Sequence, residues 1–203
     1  IREPEMSRGL GDVYKRQVRV HPIITKGGDL VNNVPSDVRM ELYVRAKTME
    51  AIDCQHRRVD EALKAGGAAV GAKAVIETLP GMFPLACSPR LNDLFVENIK
   101  EYFPETKIED AGHFTASTDM GDISHLMPSI HPFIGGVDGG LHTKDFCVTD
   151  FDAAAILPGK VFAMNIIDLL YDEAAMAKEI LEKEKPILTK EEYLAKLESY
   201  FQS

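Results

Sequence analysis

The sequence predicts a mixed fold, α/β or α+β, arranged in two lobes. Two short stretches near the start alternate apolar and polar residues, as strands with one buried face do. Several later stretches carry apolar residues at three- and four-residue steps, which is typical of amphipathic helices. Between two of them lies a segment rich in glycine, histidine and aspartate, Ala116–Phe146, that interrupts the apolar periodicity. The strands therefore define a first lobe, and the later helices a second.

Composition and charge narrow the class of protein. The chain has 203 residues, 45% of them hydrophobic, which is enough for a real core. Its formal net charge of −9 repels a phosphate backbone, so we expect no nucleic-acid partner. No apolar run reaches the roughly 20 residues of a membrane span, so we expect no membrane partner. The cysteines, Cys54, Cys87 and Cys147, are odd in number and widely spaced, which favours a reducing cytoplasm over a disulfide framework.

The polar start of the chain is expected to lie outside any domain. Residues 1–17 carry no apolar period and no signal-peptide pattern. The run DVYKRQ, at Asp12–Gln17, resembles the translated end of a transposon used in sequencing libraries, so we expect residues 1–17 to be a cloning or assembly scar. Prolines and glycines just before position 90 break the regular pattern. We therefore predict a first domain over residues 18–87 and a second over residues 88–203.

The first domain is predicted to begin with a β-hairpin that has one buried face. Its strands are the β-branched stretch Val18–Ile24 and the alternating stretch Val38–Val44. Thr48 is expected to cap a helix, and Gly66-Gly67 to end it. The weaker alternation over residues 74–78 predicts one more strand.

The second domain is predicted to open with a helix and to continue through irregular structure. Ser88 as N-cap and Pro89 at the first helical position begin an amphipathic helix that reaches Tyr102. A helical turn or two is expected over Asp119–His125. A short strand is expected over Ile130–Ile134.

Two further helices complete the prediction. One begins at Asp150 or Asp152 and is expected to break near Pro158 and Gly159, because proline removes a backbone donor from a helix. The other follows Thr189–Glu192, whose spacing is that of a capping box. Neither an internal repeat nor a low-complexity segment is present.

The glycine-rich segment is the strongest candidate for a functional site. Gly139 and Gly140 come just before His142, so backbone can crowd close to whatever the imidazole binds. We predict that His142 is a metal ligand. The other histidines of the later motifs and of the first helix lack a His-x-x-x-His spacing and are expected to be packed or on the surface. They are His56, His113, His125 and His131.

Two explanations stay open for the acids beside His125. Asp119, Asp122 and His125 follow each other at three-residue steps, so one helix face would bring them together around a cation. Acidic residues are also favoured at helix N-termini by the macrodipole, and this accounts for the same pattern without any ligand.

Four motifs in order carry a family resemblance. They are GGDLVNNVPSDVRMELYVRA at 27–46, ASTDMGDIS at 116–124, IHPFIGG at 130–136 and GLHTKDF at 140–146. From about Val18 to about Ile180, the chain resembles the aminoacylase and glutamate-carboxypeptidase family of two-zinc metallopeptidases. Within that family it most resembles the branch of aminobenzoyl-glutamate hydrolases and β-alanyl-lysine-type dipeptidases.

The resemblance implies a two-lobed hydrolase. In such an enzyme a catalytic α/β domain with two zinc ions is interrupted by a smaller, ferredoxin-like lid, through which the protein forms a homodimer. Residues 18–87 would be part of the lid, and residues 88–203 the C-terminal part of the catalytic domain. The implied activity is hydrolysis of an amide bond in a small N-acyl amino acid or a dipeptide.

The resemblance also implies roles for single residues. His142 matches a terminal ligand of one zinc ion, and neutral imidazole nitrogen is a favoured zinc donor. His21 matches a lid histidine that hydrogen-bonds the tetrahedral oxyanion, where charge grows only toward the transition state. Asn32 matches a substrate contact. The residues expected to line the cavity are Ser117, Thr118 and Asp119.

The chain departs from the family pattern in what it omits. It contains no His-x-Asp pair, and its only Glu-Glu, Glu191-Glu192, lies in the predicted capping box. A catalytic zinc ion needs at least three protein ligands, so we expect this portion to be inactive alone. The arginine that binds the substrate carboxylate in this family is not identified in the chain either. The predicted class of substrate therefore stays broad. Two other classes stay open: a non-catalytic dimerisation module, and a thiol hydrolase that uses Cys147.

Overall fold

The computed structural model of the protein describes residues 18–109, 112 and 117–201. The expected scar at residues 1–17 and the side chain of His113 lie outside this part. The described chain forms two compact units. The first contains residues 18–84 together with 117 and 197–201, and the second contains residues 85–109, 112 and 118–196. Their assignment as lid and catalytic domain stays a prediction.

The first unit begins with the predicted hairpin. Strands β1 (Arg19–Lys26) and β2 (Arg39–Arg45) pair antiparallel, with Val20 opposite Val44 and a register shift near Lys26. At the loop end of the hairpin the Asp37 carboxylate accepts hydrogen bonds from Arg39 and from Lys26. The Arg39 hydrogen bond, followed by the one from Lys26, lowers the pKa of Asp37.

The prediction of one buried hairpin face holds only near the helix that follows. Leu42 and Val44 are partly covered, but Met40, on the same face of β2, and Val38, just before the strand, are exposed. Since α1 (Met49–Ala69) begins just after β2, it contacts only part of the hairpin.

Helix α1 begins as predicted and ends later. The Thr48 side chain accepts a hydrogen bond from the Ala51 backbone N–H, which is the predicted N-cap. The helix then passes through Gly66 and Gly67 instead of stopping there. It ends before Gly71, whose φ of +73° is a left-handed conformation that glycine adopts at low cost. The predicted helix end at Gly66-Gly67 is therefore wrong, because the helix continues to Ala69 and Gly71 follows it.

Residues 74–78 show the predicted alternation without the predicted strand. Ala74, Ile76 and Thr78 are partly buried, and the residues between them are exposed. No ladder partner pairs with this segment within the described part of the chain, so the stretch is extended but not a strand. The alternation in the sequence reflects an extended chain that buries one side, which does not require pairing with another strand.

His56, which we expected at the surface, belongs to a half-buried polar cluster in the first unit. Its Nε2 lies 3.1 Å from Thr78 Oγ1 and 3.3 Å from Asp60 Oδ2. The Tyr200 ring meets the imidazole edge-on, and the Tyr200 hydroxyl donates to Asp53 Oδ1 at 2.6 Å. Burial, and then the Asp53 hydrogen bond, raise the pKa of Tyr200 well above its ordinary value.

The second unit is mainly helical. Helix α2 (Pro89–Tyr102) begins as predicted, with the Ser88 side chain accepting from the Leu91 N–H and proline in the first turn. The elements that follow in chain order are α3 (Met120–Leu126), β3 (Val137–Asp138), β4 (Cys147–Val148), a π-helical turn (Asp152–Ile156), α4 (Leu157–Lys183) and α5 (Lys190–Phe201). The part of α5 from residue 197 onward belongs to the first unit.

The core of the second unit lies between α2 and α4. Phe95 and Ile99 of α2 pack against Val161 of α4, which is fully buried. Phe103, Ile130 and Leu157 close the edges of this cluster. A buried polar link accompanies it, because the Asn98 side-chain amide donates to Asn165 Oδ1 and to Asp168 Oδ2, both at 2.8 Å.

Two predictions in this unit are wrong in detail. Residues 130–134 form no strand. They are irregular in conformation, and Ile130 packs against the core cluster. Helix α4 does not break at Pro158–Gly159. Proline is tolerated in the first turn of a helix, and here it follows a π-helical turn. The break comes at Tyr171–Ala174, where Asp172, Glu173 and Ala174 all have positive φ.

The last helix follows its predicted capping box. Thr189 Oγ1 accepts from the Glu192 N–H at 3.2 Å, and Glu192 Oε2 accepts from the Thr189 N–H at 2.8 Å. The hydrogen bond from the Thr189 backbone lowers the pKa of Glu192. Both orphan donors at the start of α5 are therefore satisfied.

One helix has the length and composition of a membrane span. It covers Asp152–Lys183, and it contains an 18-residue window with a mean hydropathy of 1.6, of which 11% is buried. The sequence reading by uninterrupted apolar runs did not detect it, because Lys160, Asn165 and Asp168 divide the segment. Length and composition alone are weak support for a span, since core helices of soluble proteins share them.

Candidate functional site

The segment from Gly136 to Asp150, here called the His142 loop, is a small hairpin built around glycines. Val137 pairs with Val148, and Asp138 with Cys147. Gly139 has a φ of +86°, and a Cβ at this residue would lie 2.5 Å from the Asp145 carbonyl oxygen. Only glycine fits such an approach of two backbone segments, so this glycine shapes the loop.

His142 lies at the tip of this loop in a strained conformation. The Thr143 N–H donates to the Gly140 carbonyl oxygen at 3.1 Å, which closes a four-residue turn. His142 is the third residue of that turn and has a φ of +63°, a value that a type II turn requires and that glycine usually provides. Its side chain is exposed, as are all side chains from Leu141 to Asp150. The backbone thus holds an imidazole outward at a cost of about 1–2 kcal/mol.

The cavity residues that we predicted lie around the start of α3. Ser117 is exposed, Thr118 is partly buried, and Asp119 is exposed at the N-cap position. Thr118 is used locally: its carbonyl oxygen accepts from the Gly121 N–H at 2.9 Å. Asp119 makes no side-chain cap hydrogen bond. Thr118 and Asp119 belong to the second unit, and Ser117 to the first.

The segment Thr118–Leu126 is here called the His125 turn. It is hydrogen-bonded to other parts of the second unit. Ser124 is buried, accepts from the Ala86 N–H at 2.9 Å and donates to the Gly121 carbonyl oxygen at 2.6 Å. His125 is 6% exposed, and its carbonyl oxygen accepts from the Leu188 N–H. The sequence reading gave Ser124 no role, although a small hydroxyl residue inside the ASTDMGDIS motif was a usable signal.

Asp122 in the same turn also has a distant partner. Its Oδ1 accepts a hydrogen bond from the Tyr193 hydroxyl at 3.2 Å. Burial, and then the Asp122 carboxylate, raise the pKa of Tyr193. The carboxylate is therefore engaged within the fold.

A pocket of about 200 Å³ lies beside the His125 turn. Its wall includes Cys87, Ser124, Glu184 and Lys185. Glu184 Oε1 accepts from the Arg90 backbone N–H at 3.1 Å, so this carboxylate satisfies a donor at the N-terminus of α2. The Ser124 and Glu184 side chains in the pocket wall therefore accept hydrogen bonds from backbone N–H groups of the fold.

The two predicted site residues on the hairpin of the first unit are both exposed. His21 is on β1 opposite Tyr43. Asn32 lies in the connection between the strands, inside a turn closed by the Asn33 N–H and the Leu30 carbonyl oxygen. His142, Thr118 and Asp119 belong to the second unit.

The donors in the described part of the chain do not make a metal centre. Within residues 18–109, 112 and 117–201, no three side chains from histidine, cysteine, aspartate and glutamate lie close enough to hold an ion. The cation explanation for Asp119, Asp122 and His125 is therefore not supported, since His125 is buried while Asp119 faces solvent. The side chain of His142 is exposed, and its role as a metal ligand stays a prediction. Cys147, on β4, has an exposed thiol.

Comparison with curated proteins places the chain beside peptidases, specifically dipeptidases. A Xaa-Arg dipeptidase of Mus musculus is 30% identical over 166 residues, which cover 78% of this chain and 38% of the relative. A Xaa-Arg dipeptidase of Homo sapiens is 25% identical over 171 residues, covering 78% of this chain and 39% of the relative. The chain thus spans about two fifths of the length of these relatives. No family model and no solved structure matches it.

Proposed function

We propose that this chain is part of a metal-dependent dipeptidase or related amidohydrolase that cleaves the amide bond of a dipeptide or small N-acyl amino acid. The observation that carries the proposal is the similarity to two Xaa-Arg dipeptidases, which extends over 78% of the chain. The four ordered motifs lie inside one region of resemblance to the zinc peptidases and support the same class. The aminobenzoyl-glutamate and β-alanyl-lysine branch is our finer proposal.

The complete protein, meaning this chain joined to the reading frame that precedes it, would carry the activity. A catalytic zinc ion takes three protein ligands, and the described residues form no such group. In our proposal, His142 supplies one ligand and the remaining length supplies the others, for two divalent ions in all. His142 suits this role because its ring is exposed on a loop whose backbone is fixed by Gly139.

His21 and Asn32 would act on the substrate from the lid. Both side chains are exposed on one hairpin, which leaves their polar atoms available. We propose that His21 donates to the oxygen on which negative charge develops, and that Asn32 contacts the substrate. Ser117, Thr118 and Asp119 would line the cavity. We further propose that the protein is a cytoplasmic homodimer assembled through the lid.

Dipeptides that end in arginine are the first substrates to test. The name of both relatives specifies such dipeptides for those proteins. The formal net charge of −9 of this chain also favours the approach of a cationic substrate. We therefore expect the complete protein to hydrolyse dipeptides that end in arginine faster than those that end in glutamate.

The test compares the complete protein with two loop variants. We expect a metal chelator and His142→Ala each to reduce kcat/KM at least 100-fold. Lys144→Ala, an exposed neighbour on the same loop, is the matched control and should keep activity within about twofold. Turnover that survives the chelator, or a fully active His142→Ala, would refute the proposal.

A non-catalytic dimerisation module is the second candidate. The hairpin exposes Ile23, Ile24 and Tyr43, which is more apolar surface than a solvated strand pair needs. Sedimentation velocity of this chain and of Ile24→Glu tests it. A dimer that Ile24→Glu converts to a monomer, together with an inactive complete protein, would favour the module over the enzyme.

A further inference from the structure

Three aspartates lie on the His142 loop, and two of them are used by the backbone around them. Asp138 Oδ1 accepts a hydrogen bond from the Gly139 N–H at 2.8 Å, and Asp150 Oδ1 accepts one from the Ala153 N–H at 3.0 Å. The side chain of Asp145 is exposed, and within the described residues its carboxylate has neither a hydrogen bond nor an ion pair. This carboxylate is therefore available to a group from outside the loop.

The backbone on both sides fixes the position of Asp145. The Phe146 N–H donates to the Thr143 carbonyl oxygen at 3.3 Å, so Asp145 is the third residue of a turn. The Asp145 carbonyl group also lies against Gly139, where a Cβ would be 2.5 Å from the carbonyl oxygen. A side chain on a fixed backbone loses less conformational freedom when it binds a partner, so this carboxylate is pre-organised for binding.

The spacing between Asp145 and His142 suits a small substrate. The two residues are three positions apart, so their Cα atoms are separated by at most about 11 Å. Each is the third residue of its own hydrogen-bonded turn. An arginine or lysine side chain carries its charge several bonds away from the amide of a dipeptide. One bound dipeptide therefore fits between a metal ion on His142 and the Asp145 carboxylate.

We propose that Asp145 determines specificity by pairing with the cationic side chain of the substrate's C-terminal residue. This inference rests on the proposed function, because that proposal supplies the metal ion and the amide substrate. A carboxylate that a bound substrate removes from water needs a compensating cation. A guanidinium provides two parallel N–H···O bonds, and such charge-assisted pairs are stronger than neutral hydrogen bonds.

The other charged side chains of the loop are less suited to this role. Asp138 and Asp150 would have to release their backbone N–H donors before they could bind a substrate. Lys144 is adjacent to Asp145, but within the described residues the two side chains form no ion pair. The field of an exposed ammonium is screened by salt, so Lys144 does not replace a cation in direct contact with the carboxylate.

The amino terminus of the substrate is a poorer partner for Asp145. The proposed substrates include N-acyl amino acids, which have no free amino group. A residue that reads the cationic side chain acts on dipeptides and on N-acyl amino acids alike. The two partners are separated by comparing substrates with and without a free amino group.

Steady-state kinetics of the complete protein tests the pairing. The substrates are alanyl-arginine, the neutral alanyl-glutamine, and N-acetyl-arginine, which lacks the free amino group. Asp145→Asn removes the charge at nearly constant shape, and Asp145→Glu restores it. Asp152→Asn removes the same charge from an exposed position outside the loop and is the matched control.

We expect Asp145→Asn to lower kcat/KM at least about tenfold for both arginine substrates, because each loses a charge-assisted pair. The value for alanyl-glutamine should change less than about twofold, since this substrate has no cationic side chain. Asp145→Glu should recover part of the preference for arginine. Asp152→Asn should keep the ratio between arginine and glutamine substrates within about twofold, because an exposed charge acts only through a screened field.

Three results would overturn the inference. An equal loss for all substrates in Asp145→Asn indicates a metal ligand or a damaged fold. A loss for alanyl-arginine and alanyl-glutamine that spares N-acetyl-arginine indicates that the carboxylate binds the amino terminus. The same selective loss in Asp152→Asn indicates attraction by the overall charge of the protein.

Failure of the pairing and failure of the proposed function give different results. A complete protein that hydrolyses none of the three substrates rejects the proposed function and the pairing with it. A complete protein that hydrolyses them with the same preference in Asp145→Asn rejects the pairing alone.

Discussion

The His142 loop and the His125 turn both belong to the second unit, but they are held in different ways. The loop is closed by hydrogen bonds within itself, such as Thr143 N–H to Gly140 and Thr149 N–H to Gly136. The turn is held from a distance, by the Ala86 N–H on Ser124 and the Tyr193 hydroxyl on Asp122. The loop therefore positions its imidazole by backbone shape alone, whereas the turn is part of the scaffold.

This difference separates a binding role from a structural one. An exposed imidazole on a self-contained, strained loop is available to bind a group that other parts of the complete protein also contact. A buried histidine in a segment with three distant hydrogen-bonded partners suits a fixed framework. We therefore place His142 in the candidate site and His125 in its support.

The largest expected effect is on the glycine that shapes the loop. Gly139→Ala puts a Cβ 2.5 Å from the Asp145 carbonyl oxygen and in a left-handed conformation. We expect it to lower the free energy of unfolding by about 2 kcal/mol or more, as measured by urea denaturation.

Gly140→Ala is the matched control for this change. A Cβ at Gly140 meets only the Thr143 side chain, at 3.1 Å, and the φ of Gly140 is not positive. We expect a loss below about 1 kcal/mol. If the two substitutions have equal effects, the loop is not held by its backbone.

The next effect is on the distant anchoring of the His125 turn. Ser124→Ala leaves the part-buried Ala86 N–H without its partner on the buried Ser124 side chain, so we expect a loss of about 1–3 kcal/mol in urea denaturation. Thr143→Ala removes a hydroxyl of the same kind from the exposed loop, where water replaces the bond to Gly140. A loss for Thr143→Ala as large as that for Ser124→Ala would erase the distinction between the two segments.

A smaller effect concerns the strain at His142. His142→Gly removes the cost of the left-handed conformation and adds freedom to the unfolded chain, so we expect a net gain of about 0.5–1 kcal/mol. His142→Ala keeps the positive φ and should change stability by less. A destabilised His142→Gly would show that the ring itself holds the loop together.

Local signals in the sequence predicted most of the elements. The Ser88 cap with Pro89, and the capping box from Thr189 to Glu192, are both confirmed, because a helix N-terminus depends on a few adjacent residues. The hairpin pairing is confirmed as well. These features need no knowledge of distant contacts.

The wrong predictions concern features that depend on contacts between residues far apart in the sequence. The strand over residues 130–134 and the helix break at Pro158 required knowing what packs nearby. At the candidate site, the sequence marked Gly139 and Gly140 as a place of close backbone approach before His142. The burial of Ser124 and His125 depends on Ala86 and Leu188 and was not predicted. The roles of His21, Asn32 and His142 stay predictions, since their companions lie beyond these local contacts.

The smallest expected effect is a pH dependence confined to the anchored turn. Burial and the Asp122 carboxylate raise the pKa of Tyr193 above the ordinary value of about 10. The folded protein therefore keeps this proton at a pH where the unfolded chain has lost it. The stability from this contact is complete below about pH 10 and falls as the pH rises through the raised pKa.

Urea denaturation between pH 9 and 11 measures this slope. Tyr193→Phe cannot ionise, so we expect its unfolding free energy to fall less steeply with pH than that of the original chain. Tyr171→Phe, at an exposed position, is the matched control and should leave the slope unchanged. If Tyr193→Phe and the original chain lose stability in parallel, the phenol titrates alike in both states. Asp122 then contributes nothing to holding the turn against the last helix, and the anchoring depends on Ser124 and the His125 carbonyl oxygen alone.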